Sequence, residues 1–89
     1  MLTWRDSINA EMEANSDSWA NVVGTTPSLD DEGWLDVEFD GGFGSQEGCS
    51  FAVWTAKWVY FPATYDGAEW ATSVPRNPDG ETIAHIGGG

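Results

Sequence analysis

The apolar positions near the start of the chain recur with a helical period. At 100° per residue, Trp4, Ile8, Met12, Trp19, Val22 and Val23 fall within about 100° of arc, a core-facing stripe. Asp6, Glu13 and Asp17 fall almost opposite, within about 40° of one another. Thr3 and Asp6 fit a capping box at the start, and Gly24 supplies a stop. The spacing therefore predicts one helix over residues 3–24 with an acidic stripe toward solvent.

The period then changes to two. Leu35, Val37 and Phe39 alternate with Asp36, Glu38 and Asp40, which predicts a half-buried strand over residues 34–40. The preceding TTPSLDDEG reads as a loop, and GGFGSQEG as a flexible glycine-rich connection. CSFAVWTAKWVYFP reads as two strands with a turn near Thr55–Lys57. Asp66-Gly67 marks a hairpin, EWATSV continues as another strand, and Pro75 and Pro78 end regular structure. ETIAHI is a short edge strand or a tail, and residues 87–89 read as a disordered tail. The elements predict a single α+β domain over residues 1–89: one N-terminal helix packed on a four-stranded antiparallel sheet. Trp4, Ile8 and Trp19 are expected to meet Leu35, Val37, Phe39 and part of the Phe51–Phe61 set.

Charge changes this picture more than composition does. Fifteen acids face Arg5, Lys57 and Arg76, a formal net charge of -12. Residues 1–47 hold eleven acids and one arginine, a net of -10, whereas residues 48–89 hold four acids and two bases, a net of -2. Such a chain repels nucleic acid and anionic membrane and attracts basic surfaces and cations. With Cys49 alone, no internal disulfide forms, which fits a reducing, cytoplasmic setting. MLTWRDSINAEM has no apolar core of a signal peptide, and no stretch reaches the roughly 20 apolar residues of a membrane span.

These residues touch on several chemistries. Asp36, Glu38, Asp40, Gly41 and Glu47 nearly spell the calcium loop of an EF-hand. Against it, Glu38 is longer than the pattern wants, no good helix precedes the loop, and the alternation of residues 34–40 needs an extended backbone. Carboxylate-pair catalysis lacks the apolar burial that raises a pKa. A Cys49/His85 pair lacks any signal that would bring the two together, and Cys49 reads as a small core residue. No cofactor and no catalytic residue is expected.

Binding is what remains. Carboxylates at Asp36, Glu38 and Asp40 would repeat about every 6.6–6.8 Å along a strand, close to two DNA base-pair steps of about 3.4 Å. With Asp6, Glu13 and Asp17 on the helix, and Asp30, Asp31 and Glu32 in the loop between, they form candidate partner-binding arrays. Trp54, Trp58 and Trp70 are either sheet packing or interface anchors. A short, strongly acidic, lysine-poor and aromatic-rich chain resembles phage-encoded anti-defence inhibitors of the DNA-mimic anti-CRISPR and anti-restriction type. The resemblance lies in size and charge layout and carries over no functional residue. It implies a non-catalytic, stoichiometric inhibitor that blocks the nucleic-acid site of a CRISPR effector, restriction or repair enzyme in a bacterial host cell. The rivals are an EF-like calcium module at residues 36–47 and a haloadapted domain, whose acids would be spread over the entire surface. An aromatic sheet face left uncovered by one helix also favours a homodimer.

Overall fold

A computed structural model of the chain describes residues 2–31, 33–39, 48–65, 68–78, 80 and 82. Helix α1 (Trp4–Ala14) crosses one face of a four-stranded antiparallel sheet whose strands lie in chain order: β1 (Val22–Thr26), β2 (Ala52–Thr55), β3 (Trp58–Tyr65) and β4 (Ala68–Pro75). Two 3-10 helices, Trp19–Asn21 and Trp34–Asp36, complete the regular structure. The expected α+β arrangement of one helix on four strands holds. Two of its elements differ from the sequence reading.

The first is the helix. Its start is as expected: the Thr3 hydroxyl accepts the Asp6 N–H at 3.2 Å. Its end comes at Ala14, nine residues before Val23. There the Ser16 N–H bonds the Glu13 carbonyl at 3.2 Å and the Asp17 N–H bonds the Met12 carbonyl at 2.8 Å. This is the Schellman pattern, with Ser16 at φ 56 in the left-handed position that glycine normally fills. The chain then turns through Trp19–Asn21, and Val22 and Val23 enter β1, where their β-branched side chains suit a strand. Gly24 is a strand residue beside a register shift and not a helix stop. Relieving the left-handed serine should help: Ser16→Gly is expected to raise stability by about 0.5–1 kcal/mol, read as a higher urea midpoint at unchanged slope.

The second is the segment 34–40. No strand forms over residues 34–39. Trp34 and Leu35, adjacent in sequence, are both buried, and the 3-10 turn lets both face inward, as alternation on a strand would not. Trp34 stacks on Phe51 with centroids 5.4 Å apart and donates Nε1–H to the Ser28 carbonyl at 2.9 Å. Val37 is 53% exposed and does not enter the core, whereas Phe39 is buried and pairs with Leu2 in an isolated bridge. The loop 40–47, the Asp66-Gly67 turn and residues 83–89 lie outside the described residues.

Thr25 and Thr26, read as loop, belong to β1, and β3 runs past Pro62 to Tyr65; the order of β2, β3 and β4 follows the sequence reading. The β2–β3 turn is Ala56-Lys57, flanked by a Thr55 hydroxyl that accepts the Trp58 N–H at 3.1 Å. Strands β3 and β4 pair over all eight residues, from Trp58↔Pro75 to Tyr65↔Ala68. Pro62 is tolerated inside β3 because of register. Its partner Ala71 turns its N–H away from β3 to the Ser7 hydroxyl at 2.7 Å, so Pro62 owes β4 no hydrogen bond. The core is one cluster under α1: Trp4, Ile8 and Met12 from the helix, Trp34, Leu35 and Phe39, then Phe51, Val53, Tyr60 and Ala71.

Candidate functional site

The helix grips the sheet by a polar seam beside its apolar stripe. Ser7, Glu11 and Asn15 recur every four residues and meet the outer strand. Ser7 takes the Ala71 N–H, the Glu11 carboxylate accepts from the Ser73 hydroxyl at 2.6 Å, and Asn15 donates to the same hydroxyl at 2.9 Å. The seam thereby satisfies the Ala71 N–H, which would otherwise point out from the edge of the sheet.

The seam runs into a second cluster around Asp17. Its carboxylate accepts from Thr55 Oγ1 at 2.7 Å, the Tyr60 hydroxyl at 2.7 Å, the Ser18 N–H at 2.9 Å and Asn21 Nδ2 at 2.9 Å. Burial pushes the Asp17 carboxyl up, but the donors from Asn21, Thr55, Tyr60 and Ser18 outweigh it and hold the group below the usual carboxylate range. Burial, and then the neighbouring Asp17 carboxylate, push the Tyr60 phenol well above its usual value. Among the described residues no buried side-chain polar atom lacks a partner, so this network is a satisfied joint between α1 and the sheet.

The predicted acidic sites therefore separate into kinds. Asp17 leaves the solvent stripe for the joint just described. Asp36 holds Arg5 in a two-point ion pair, at 2.6 and 3.0 Å. The guanidinium beside it holds the Asp36 carboxyl below its usual range. Arg5 also lies 5.9 Å from the centroid of the Trp19 ring and is raised by Asp36 first and by Asp6 more weakly. Asp30 accepts from the Ser28 hydroxyl at 2.6 Å within its own turn. Asp6, Glu13, Asp30, Asp31 and Glu38 are exposed, while Glu32, Asp40 and Glu47 lie outside the described residues. The 6.6–6.8 Å strand ladder expected of Asp36, Glu38 and Asp40 falls with the strand itself, because Asp36 ends a 3-10 turn.

Of the four residues of the calcium reading, Asp36 and Glu38 are described, and Asp40 and Glu47 lie outside the described residues. Both Asp36 oxygens are engaged by Arg5, and the Phe39 backbone is committed to Leu2 through two hydrogen bonds of 2.9 Å. No group of three or more candidate ligands for a metal ion occurs among the described residues. Cys49, expected in the core, is exposed, and His85 lies outside the described residues. Among the described residues no helix is long and apolar enough to cross a membrane.

Three features were not legible as sites. Glu69, on the helix-covered face of β4, is buried, and its carboxylate accepts the Gly48 N–H at 3.0 and 3.3 Å. An apolar cleft of about 280 Å³ opens between Trp34, Val37 and Cys49, with Asp31 on its lining. The third is the outer face of the sheet. Register places Trp54, Val59, Phe61, Ala63, Tyr65, Ala68, Trp70, Thr72 and Val74 together on the side away from α1. None of these residues is ionisable near neutral pH. Trp58, by contrast, lies on the helix side and packs against the core with Leu2, Trp19 and Val22.

The fold and its surfaces thus define a two-layer α+β protein with an acidic helical layer and an uncharged aromatic sheet face. Comparison with protein-family models, with curated proteins and with solved structures finds no match.

Proposed function

We propose that the protein is a stoichiometric inhibitor whose acidic layer occupies a basic nucleic-acid-binding groove on a bacterial defence complex. The observation that carries this reading is the segregation of charge. Of the nine acids among the described residues, none lies on the outer sheet face. Six of the nine are exposed: Asp36, paired with Arg5, and Asp6, Glu13, Asp30, Asp31 and Glu38, on α1 and on the segments that flank the Trp34–Asp36 turn. Haloadaptation spreads acids over a whole surface; here the described residues of one large face include none. The three bases do little to offset the acidic layer: Arg5 is spent on Asp36, while Lys57 and Arg76 sit together at the β2–β3 turn, joined by a 2.8 Å backbone bond.

A negative layer on a rigid scaffold competes with DNA on the same terms as DNA. It steers toward a basic groove and its grip weakens with salt. Mimicry here rests on clustered charge and not on a strand repeat.

The test is competition. Purified CRISPR effectors and restriction enzymes are loaded with a labelled duplex, and displacement is followed by anisotropy across a salt series. Displacement near one-to-one that weakens as salt rises is expected. Glu38→Lys combined with Asp31→Lys should weaken it at least tenfold, about 1.4 kcal/mol, with the fold unchanged by circular dichroism. Equal displacement by that variant would exclude the acidic layer as the contact.

A further inference from the structure

The outer sheet face has no occupant among the described residues. Trp54, Val59, Phe61, Trp70 and Val74 are half-buried, Tyr65 is 53% exposed, and none of the six belongs to the core under α1 or packs against it. The chain spans only 19 Å in its shortest dimension, room for one helix layer on one sheet. Thr72, between Trp70 and Val74, is buried, and from strand lengths and a spacing of about 4.8 Å the face exposes on the order of 300–500 Å².

We propose that this face is the interface of a homodimer in which two copies stack their sheets face to face. Three observations select a second copy over a different protein. The described residues of the face are uncharged, so neither a basic nor an acidic partner gains ion pairs with them. Its apolar character is self-complementary, as a twofold interface requires, and a second copy is always present at equal concentration. Two such faces bury about 600–1,000 Å², the size of a weak, transient interface, which makes the dimer strongly concentration-dependent. Stacked sheets lie about 10 Å apart with the helices outermost. The acids on the two α1 helices are then separated by the whole sandwich, well beyond the Debye length of about 8 Å at physiological salt. Both acidic layers stay exposed on opposite sides of the dimer.

The salt response follows with a sign opposite to that of the inhibitory contact. Two copies at -12 repel each other at long range, and salt screens that repulsion without weakening the apolar contact. Self-association should therefore tighten several-fold between 10 and 300 mM salt, whereas binding to a basic groove should weaken.

Sedimentation equilibrium on the full chain at 1–200 µM protein tests this. A monomer–dimer equilibrium in the micromolar range is expected, shifted toward dimer by salt. Phe61→Lys, at the centre of the face, and Tyr65→Lys, at its exposed end, should each weaken it at least tenfold while circular dichroism stays native. Glu13→Lys, on the acidic layer, should leave it intact or tighten it. A monomer at 200 µM in 300 mM salt would give the face to another protein and overturn the proposal. So would a dimer indifferent to both lysine substitutions. Either result leaves the inhibitory reading standing, because that rests on the other layer.

Discussion

Trp4→Ala should cost about 3–5 kcal/mol, the range for removing a fully buried tryptophan. Trp4 is 1% exposed, and its ring centroid lies 4.8 Å from those of both Phe39 and Phe51. Its Nε1–H bonds the Cys49 carbonyl at 3.1 Å, so one side chain from the first turn of α1 seats the return of the chain into β2. The fit around it is tight. A methyl group at Gly48 would stand 2.6 Å from Trp4 Cζ2 and 2.9 Å from both Glu69 Oε1 and Phe39 Cζ, which explains a glycine there without appeal to backbone freedom. At about 0.05–0.15 kcal/mol per residue, a domain of this length has roughly 4–13 kcal/mol in total, so Trp4→Ala brings it close to the unfolding threshold. The check is urea unfolding by circular dichroism, with Trp4→Phe as a partial variant that keeps an aromatic ring but loses the Nε1–H donor. A loss under about 1.5 kcal/mol for Trp4→Ala would mean that the core repacks without it.

How far such contacts were legible in the sequence depended on whether local and tertiary signals agreed. The β2–β3–β4 meander was legible because hairpin turns, prolines and alternation all pointed one way. The N-cap at Thr3 was legible for the same reason. The end of α1 was not. Trp19, Val22 and Val23 happen to continue the helical stripe, and the actual stop is a serine in a conformation where glycine is the usual signal. The β-branched run Val22-Val23-Gly24-Thr25-Thr26 was the competing cue, and it describes β1 correctly. At residues 34–39 the alternation of Leu35, Val37 and Phe39 was genuine as a pattern. The larger apolar surface of Trp34 overrode it: burying Trp34 beside Leu35 requires a turn, and Val37 is left in solvent. Propensity yields where one large ring has a place in the core.

The same difference governs the acids. Sequence periodicity grouped Asp6, Glu13 and Asp17 on one helical face, which holds for Asp6 and Glu13 because α1 reaches them. Asp17 lies past the helix end, where side chains distant in sequence, Thr55 and Tyr60, converge on it. No local pattern announces such a convergence. The Ser7, Glu11 and Asn15 seam was readable in principle: three polar residues at a spacing of four, adjoining the stripe of Trp4, Ile8 and Met12, mark a helix that borders a strand edge.

Asp17→Ala should cost about 2–4 kcal/mol, because it strips a charged acceptor from two hydroxyls at the helix–sheet joint. Asp17→Asn keeps the shape and an acceptor oxygen and should cost less. The pH dependence separates Asp17 from the general acidity of the chain. Its folded pKa lies below the ordinary carboxylate value, so its stabilisation is fully present above about pH 4. That stabilisation is lost as pH falls through the lowered folded value, where the proton binds the unfolded state first. The rest of the chain pulls the other way in part. Fifteen acids against three bases repel one another at neutral pH, and their protonation relieves that repulsion. The wild-type curve alone therefore mixes two opposing effects, and the difference between wild type and Asp17→Asn isolates one. Urea unfolding at pH 7, 5, 4, 3 and 2.5 should show a constant gap down to about pH 5 and a shrinking gap below about pH 4. A gap unchanged at pH 2.5 would mean that the Asp17 charge is not what holds Tyr60 and Thr55 in place. A shrinking gap would establish that this acid serves the fold, leaving the exposed carboxylates of Asp6, Glu13, Asp30, Asp31 and Glu38 as the ones free to meet a partner.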